Sequence, residues 1–530
     1  MDMAEESIIK LSVVEWNHDQ RIAVARVAAQ SLTQVAPLLG EPWSSQWWDD
    51  VIKYLDVTQQ ELERRYITYQ QAVELLSGET RDIRIKVMVD LLALALHVTP
   101  NAMKEDAKKS KAKHVMLYDA RSRRFLLELE HALNLHMGDL VSVEKSVAQQ
   151  MYYGMLEQQE NKQQNQGPNT QQNMDLSARK AIQDANKKKQ AFRWIATGAG
   201  IIGGGAVIAL TGGLAAPLLA PLLVGVTGAT FFATAGGVAL VTSLFGLTGG
   251  GLAGWKMHKR MKGIEEFEFK QILNDPDLPP VPALRCTICM SGFLLGGKEE
   301  ARTPWERTFE GKRNHTDIFC LEYETETLLQ LGYAFRRFVK DTAVNYAGME
   351  VAKATVLHAF FAAVALPATI LKIADVIDNP WQMAVDRSRK AGIVLADVLE
   401  ERVQGNRPCN LVAYSCGCLV VWNCLQELNE RGKHGLVDNV VLMGAPISTE
   451  ETWEWRNAAN VVSGRFVNCY TPNDWVLAFV YRLHSLATNV AGLEAVSGLG
   501  KRIENIKVDV DGHTKYPLVL KDIMDQIKLE

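Results

Sequence analysis

The chain has 530 residues, 47% of them apolar, and a formal net charge of −4 at pH 7. This length is enough for two to four domains, and the weakly acidic balance excludes an overall basic surface, so we expect no nucleic-acid partner. The acidic start MDMAEES lacks the charged-then-apolar pattern of a cleaved secretion signal, so we expect an intracellular protein.

The N-terminal region has the patterns of helices. Apolar side chains recur at helical spacing after Tyr118–Ser122, at Phe125, Leu126 and Leu129. The histidines of this region are scattered and form no catalytic constellation. We therefore predict an all-helical N-terminal region over 1–154, which could bind a protein partner.

A polar segment follows at 155–190, rich in Gln, Asn and Lys. Such a composition cannot bury enough apolar area to offset the entropy lost when a chain becomes ordered. We predict a flexible linker here.

The next segment is long and uncharged, because no Asp, Glu, Lys or Arg occurs from Trp194 to Trp255. A membrane-spanning helix needs ~20 mostly apolar residues, so there is room for two or three crossings. Lys and Arg flank both ends and are retained on the cytoplasmic side, which favours an even number of crossings. Gly246, Gly250 and Gly254 have the spacing that lets membrane helices approach closely.

We therefore predict a glycine-rich transmembrane helical hairpin over 191–262, in an intracellular membrane. The N-terminus and the domain after the hairpin would face the cytosol, and the lipid bilayer would be a partner. The alternative is a glycine-rich hairpin that is buried against the soluble domain or lies shallowly in the membrane interface.

After the proline-rich segment Asp275–Pro282, apolar runs alternate with helical stretches, which is the pattern of an α/β domain with a mostly parallel sheet. We assign residues 263–530 to this domain. Helices are expected over Ala343–Lys372, kinked or split at Pro367, and from Ile377 onward. The predicted strands are Leu284–Met290, Asp317–Glu322, Asn410–Tyr414, Asn439–Pro446, Arg465–Tyr470 and Ile503–Asp509.

All eight cysteines lie between Cys286 and Cys469. Cys286 and Cys289 fall in a predicted strand, where a spacing of three sends side chains to opposite faces, so they are poorly placed to share a zinc ion. We predict reduced core thiols, and neither a metal site nor a cofactor.

The stretch Asn410–Leu428 predicts a strand that turns sharply into a helix, with Ser415 at the corner. This is the shape of the nucleophile elbow of α/β-hydrolases, which lifts a serine hydroxyl clear of the sheet. The residues two before and two after the serine must be small, because the strand and helix backbones nearly touch there. Ala413 and Gly417 meet this condition. The alternative is an ordinary serine in a strand–helix turn.

An acid and a base are expected after the serine, in the chain order Ser, Asp, His. Asp474 follows the predicted strand that ends at Tyr470, and His513 follows the last predicted strand. Both would lie at the carboxyl edge of the sheet, from which Ser415 projects. His513 would take the proton of Ser415, and Asp474 would fix the imidazole tautomer.

Rival candidates exist for the acid and the base. Asp509 and Asp511 are too close to His513 in sequence to be favoured, and His484 lies in a helical pattern. Asp474 could also be a turn residue and His513 a surface residue.

Acyl transfer also needs donors for the oxyanion that develops on the substrate. The amide of Cys416 is one candidate. The loop after the first predicted strand supplies the others, the amides of Phe293 and Leu294, because Gly292 lets the backbone turn inward.

Several segments of the chain together match one family pattern: Tyr118–Arg121, Gly203–Pro217, Ile264–Phe267, Ser291–Phe293, Pro304–Trp305, Ile377–Trp381, Tyr414–Gly417, Gly444–Pro446, Asn473–Val476 and Gly512–His513. In these segments the chain resembles the eukaryotic transmembrane and coiled-coil domain-containing hydrolase family, catalogued as a domain of unknown function. The resemblance implies a membrane-bound α/β-hydrolase-like protein, a lipase or esterase, with Ser415, Asp474 and His513 in the catalytic positions. Members usually carry Gly where this chain has Ala413.

Two functions are consistent with the sequence. The first is a membrane-anchored serine hydrolase that cleaves ester bonds, of a lipid or another carboxylic ester, through an acyl-enzyme. The second is a catalytically silent membrane scaffold or trafficking adaptor that keeps the hydrolase-like domain for binding. The complete Ser415, Asp474 and His513 set favours the first.

Overall fold

The computed structural model describes residues 16–64, 67–97, 116–149, 151–152, 243–246, 252, 263–272, 282–310, 315–345, 368–484 and 489–529. The predicted linker over 155–190 lies outside these residues, as does the predicted hairpin over 191–262 except for residues 243–246 and 252. The chain divides into two compact units. The first unit comprises Met1–Gly249, Asp275–Leu284 and Gly405–Arg407, and the second comprises Gly250–Asn274, Arg285–Gln404 and Pro408–Glu530.

Within described residues 16–152 of the first unit, all regular elements are helices, and 139–149 adds a helical stretch after the last named helix. Aromatic packing organises this core, since the rings of Trp43 and Trp47 stack at 5.9 Å and Phe125 meets Trp47 edge-on. The named helices are α1 His18–Leu39, α2 Trp43–Leu55, α3 Gln59–Arg64, α4 Tyr69–Gly78, α5 Arg81–His97 and α6 Ala120–Ala132.

Among the described residues, helix α1 alone has the length and apolar composition to cross a membrane. It begins with a capping box, in which Asn17 and Gln20 each bond the other's backbone amide. More than half of its most apolar window is buried inside the protein, and Ile22, Val24 and Val27 belong to the core of the first unit. This burial is typical of a core helix.

The second unit contains a seven-stranded sheet, ordered β1-β3-β2-β4-β5-β6-β7. Only the β1–β3 pair is antiparallel; the other five pairs are parallel. The predicted α/β class with a mostly parallel sheet is therefore confirmed. The strands are β1 Phe267–Ile272, β2 Cys286–Met290, β3 Asp317–Tyr323, β4 Cys409–Tyr414, β5 Val437–Met443, β6 Phe466–Tyr470 and β7 Glu504–Lys507.

Helices accompany this sheet along the chain, and two sequence expectations need correction. The helix expected to start near Ile377 begins nine residues earlier, because α9 runs from Ala368 straight through Pro380. Proline removes one backbone bond but does not end a helix whose neighbours are well packed, and Ile377 and Trp381 are both buried. The helices are α7 Thr303–Phe309, α8 Thr325–Asn345, α9 Ala368–Glu400, α10 Gly417–Glu430, α11 Thr452–Asn460, α12 Trp475–His484 and α13 Tyr516–Ile527.

Strand β1 is absent from the strands that the sequence predicts. In addition, the helix predicted over Ala343–Lys372 lies mostly outside the described residues; α8 ends at Asn345 and α9 begins at Ala368.

Because β2, β4, β5, β6 and β7 are parallel, the loops after them open at one edge of the sheet. The predicted catalytic residues and oxyanion donors all follow one of these strands, and Ala413 lies within β4.

Candidate active site

Ser415 occupies the sharp turn between β4 and α10. Its backbone has a φ of +55°, a left-handed conformation that is uncommon and costly for a residue other than glycine. The turn is held on one side by the Ser415 amide, which donates to the carbonyl of Met443 at 2.9 Å, and on the other by the Cys418 amide, which donates to the Ser415 carbonyl. A serine that is held in a strained backbone conformation by contacts with a neighbouring strand is typical of a functional site.

The small residues around this turn are there for close packing. A β-carbon added at Gly417 would lie 2.6 Å from the carbonyl oxygen of Met290, at the end of β2. Ala413 is fully buried in β4, where it pairs with Met290 on one side and Leu442 on the other. The first turn of α10 therefore crosses the end of β2 at a distance that only glycine allows, whereas a methyl group is accommodated at Ala413.

The structure brings Ser415, His513 and Asp474 together. Ser415 Oγ lies 2.6 Å from His513 Nε2, and His513 Nδ1 lies 2.6 Å from Asp474 Oδ2. All three residues are fully buried. With the proton on Nδ1, the imidazole donates to the carboxylate of Asp474 and leaves Nε2 to accept the hydroxyl proton of Ser415.

Asp474 is itself held by the start of α12. Its Oδ1 accepts the amide of Leu477 at 3.0 Å, and its carbonyl accepts the amide of Ala478. This is the arrangement of a helix N-cap, in which the side chain satisfies an otherwise unpaired amide. One carboxylate oxygen is thus used by the helix and the other by His513.

The rival candidates lie elsewhere. Asp509 and Asp511 are exposed, whereas Asp474 is buried against His513. His484 is the last residue of α12, and Asp474 precedes the first.

The loop after β2 lies directly against the serine turn. A β-carbon on Gly292 would come within 2.3 Å of the Cys416 amide nitrogen. Within the described part of the chain, the amides of Phe293 and Cys416 donate no hydrogen bond. The amide of Leu294, the third expected donor, donates to the carbonyl of Leu328 at 3.1 Å.

Aromatic rings enclose the imidazole of His513. The ring of Phe335 lies 5.2 Å away, that of Phe293 5.6 Å and that of Tyr516 5.8 Å. These rings keep water away from the Ser415–His513 contact, and electrostatic interactions are stronger in such a dry site. The sequence analysis missed Phe335 and Tyr516 as site residues, although Tyr516 could have been suspected because it lies one helical turn after His513.

The thiol of Cys416, next to the serine, is expected to be unreactive at neutral pH. Burial raises its pKa from 9.0 to about 12, so it stays protonated at neutral pH. Cys286 and Cys289 are buried free thiols on β2. No group of three or more His, Cys, Asp or Glu residues that could hold a metal ion occurs in the portion of the chain that the structure describes.

The fold and site together define an α/β protein with a buried serine–histidine–aspartate arrangement at the carboxyl edge of its sheet. The chain belongs to the family described as "Protein of unknown function (DUF726)", which matches residues 188–530. The transmembrane and coiled-coil domain-containing family suggested by the sequence is thereby supported.

Three relatives illustrate this membership. The transmembrane and coiled-coil domain-containing protein STS1 of Oryza sativa subsp. japonica is 33% identical, over 84% of this chain and 66% of its own length. An uncharacterized membrane protein of Schizosaccharomyces pombe is 34% identical, over 66% of this chain and 62% of its own. The probable lipase MIL1 of Saccharomyces cerevisiae is 30% identical, over 77% of this chain and 37% of its own.

The chain thus spans less than two thirds of the length of each of these relatives. No solved structure matches it.

Proposed function

We propose that the chain is a membrane-associated serine hydrolase with an α/β-hydrolase fold, which cleaves carboxylic esters of lipids through an acyl-enzyme. The observation that carries this proposal is the continuous contact from Ser415 Oγ through His513 to Asp474, with the serine held at positive φ. A serine, its base and the group that orients the base meet in the geometry that nucleophilic catalysis requires.

In this mechanism, His513 Nε2 takes the hydroxyl proton as Ser415 Oγ attacks the ester carbonyl carbon. The tetrahedral intermediate carries its negative charge on the former carbonyl oxygen, which the amides of Cys416 and Phe293 stabilise. His513 then gives its proton to the departing alcohol, and an acyl-serine remains. A water molecule then gives a proton to the same imidazole as its oxygen attacks the acyl carbon. The acyl–Oγ bond breaks, the imidazolium returns the proton to Ser415 Oγ, and the fatty acid leaves.

Asp474 acts on the histidine rather than on the substrate. Its Oδ2 accepts the Nδ1 proton, which fixes the tautomer and stabilises the imidazolium that forms in each half of the cycle. Because the site is buried, this negative charge is weakly screened and acts strongly on the imidazolium.

Two lines support lipid esters and a membrane setting. One relative bears the name probable lipase and others are named membrane proteins. The uncharged block over 194–255, with basic residues on both sides, supports a hairpin that would hold the site near the bilayer on its cytosolic side.

The test is labelling of the full chain in detergent with a fluorescent fluorophosphonate, which reacts only with an activated serine. We expect the wild type to be labelled and Ser415→Ala to be unlabelled. Ser463→Ala is the matched control, because Ser463 is also buried but lies before β6, at the amino edge of the sheet. Absence of labelling in the wild type would favour the alternative, a silent scaffold or trafficking adaptor.

A further inference from the structure

A groove in the second unit lies beside the candidate active site and has no part in the mechanism above. It has a volume of about 470 Å³ and lies between helices α9, α10, α11 and α12. Its walls include Trp381, Arg389, Trp422, Asn423, Glu454 and Tyr481. Sites for small ligands typically measure about 300–1,000 Å³ and combine apolar walls with a few polar groups, as this groove does.

The groove is close to the reactive serine. Leu419, which contributes to its wall, lies one helical turn after Ser415. Trp381, also part of its wall, lies 6.2 Å from the ring of Phe335, and Phe335 lies 5.2 Å from the imidazole of His513. Ring contacts therefore connect the groove wall to the imidazole.

Two opposite charges face this groove without touching. Arg389 is exposed, and among the described residues neither Arg389 nor Glu454 forms an ion pair. The two side chains nevertheless interact electrostatically. Burial and the neighbouring Glu451 raise the pKa of Glu454, while Arg389 acts in the opposite direction. The wall of the groove therefore carries a positive and a negative group.

Three aromatic side chains also line the groove, those of Trp381, Trp422 and Tyr481. Trp381 packs against Phe335 and Trp422 against Trp455, so these two rings are fixed in position and expose only their edges or a small part of a face. Aromatic faces attract ammonium groups, and quaternary ammonium ligands are commonly held by several such rings. A guanidinium, in turn, suits a phosphate, to which it can donate two parallel hydrogen bonds.

From this juxtaposition we infer that the groove binds the head group of a zwitterionic phospholipid ester, with its phosphate on Arg389 and its ammonium between Glu454 and the rings of Trp381, Trp422 and Tyr481. This inference rests on the proposed function for the reaction, because it names the substrate class of the Ser415 site. The binding itself does not require turnover.

Binding is measured on the full chain carrying Ser415→Ala, so that no ligand is consumed. The probes share one short acyl chain and differ in the head group: lysophosphatidylcholine, lysophosphatidate and monoacylglycerol. We expect lysophosphatidylcholine to bind best. Arg389→Gln should weaken both phosphorylated ligands about tenfold, which is typical for the loss of one charge-assisted hydrogen bond, and leave monoacylglycerol unchanged.

Glu454→Gln should weaken lysophosphatidylcholine alone, since only this ligand carries the ammonium. Arg456→Gln is the control, because Arg456 is exposed on α11 but is not part of the groove wall. Equal affinity for the three ligands, or an equal effect of Arg389→Gln on all of them, would overturn the inference. Free phosphocholine that binds as tightly as lysophosphatidylcholine would overturn the assignment to a lipid.

The two proposals fail in different ways. A wild-type protein that hydrolyses none of the three esters, but whose Ser415→Ala variant shows the head-group pattern, refutes the hydrolase and keeps the groove assignment. The opposite result is also possible: the wild type hydrolyses the esters and Ser415→Ala does not, but neither Arg389→Gln nor Glu454→Gln changes the relative rates for the three ligands. That result refutes the groove assignment and keeps the hydrolase.

Discussion

The backbone of Gly292 lies against the amide of Cys416, so closely that a β-carbon on Gly292 would be 2.3 Å from the Cys416 nitrogen. The same β-carbon would be 2.3 Å from the carbonyl oxygen of Tyr414. Both atoms belong to backbone that cannot rotate away. This contact therefore fixes the distance between the amides of Cys416 and Phe293, the two proposed oxyanion donors.

Gly292→Ala should lower both stability and reactivity. The added methyl group must push the loop and the serine turn apart, and overpacking of this kind typically costs about 1–3 kcal/mol of unfolding free energy. Loss of one oxyanion donor typically lowers the rate about 10²–10³-fold, so fluorophosphonate labelling should slow by a factor in that range. The measurements are labelling rate and thermal unfolding.

Gly297→Ala is the matched control in the same segment. The three atoms nearest to a β-carbon there all belong to the carboxylate of Glu299, the far end of a flexible side chain that can turn away. This variant should label at the wild-type rate. Wild-type labelling of Gly292→Ala would show that the contact with Cys416 does not position a donor.

Substitution of Asp474 should separate its two roles. Asp474→Asn keeps an oxygen for the Leu477 amide, but an amide nitrogen in place of Oδ2 cannot accept the Nδ1 proton of His513. The imidazole then adopts the wrong tautomer, and labelling should fall about 10³–10⁴-fold with little loss of stability. Asp474→Ala also removes the helix cap and should cost about 1 kcal/mol more.

Labelling rates and melting temperatures of the two variants, compared with the wild type, give the result. A normal labelling rate in Asp474→Asn would refute the role of this carboxylate in orienting His513. Equal melting temperatures of the two variants would refute its role as a helix cap.

The serine turn could be predicted because its signals are local. A buried strand, a serine, a glycine two residues later and apolar residues at helical spacing all occur within Asn410–Leu428. Asp474 and His513 could be found because each follows its own strand, and parallel strands bring such loops to one edge. The contacts between these residues depend on the whole sheet, and only the structure supplies their distances.

Strand β1 escaped prediction because it is an edge strand of mixed character. Phe267 and Phe269 point to the core, while Glu268 and Lys270 alternate with them and pair with each other at the surface. The alternation of apolar and charged residues was the sequence signal for a strand, but it covers few residues and no clear turn motif precedes it. The antiparallel pairing with β3 depends on a partner about fifty residues away.

The residues that surround His513 could not be predicted from the sequence either. Phe335 comes from α8, far from His513 along the chain, and no local pattern marks which face of that helix meets the imidazole. The engagement of the Leu294 amide with Leu328 is likewise a tertiary contact. The sequence indicates which loop could supply an oxyanion donor, but tertiary contacts determine which backbone amides of that loop already have a hydrogen-bond partner.

The cysteines should be unreactive in the folded protein. All eight are free and buried. At pH 8, Ellman's reagent should therefore react slowly with the native chain and rapidly with all eight thiols in denaturant, because only the thiolate is nucleophilic. A thiol that reacts quickly without denaturant would contradict the burial described here.

These buried thiols should also make the fold sensitive to alkali. Burial raises the pKa of Cys416 from 9.0 to about 12, so above about pH 9 the unfolded chain loses a proton that the folded chain keeps. The contribution of the protonated Cys416 thiol to folding stability is therefore complete below about pH 9 and is lost as the pH rises toward 12. The melting temperature of Cys416→Ala should consequently fall less steeply than that of the wild type between pH 9 and 10.5; parallel curves would refute this linkage.

The backbone at Ser415 is strained in a way that glycine would relieve. A residue with a β-carbon at φ +55° is held in a conformation that disfavours every side chain, and glycine escapes this cost. Ser415→Ala and Ser415→Gly both remove the hydroxyl and its contact with His513, so the difference between them isolates the backbone. We expect the glycine variant to be more stable by about 1 kcal/mol, since the left-handed conformation costs about 1–2 kcal/mol and glycine's greater freedom in the unfolded chain offsets part of that. For a unit of this size the difference corresponds to a melting temperature about 2 °C higher. An alanine variant as stable as the glycine variant would show that the turn stores no strain, and the positive φ would then have no bearing on how the serine is presented.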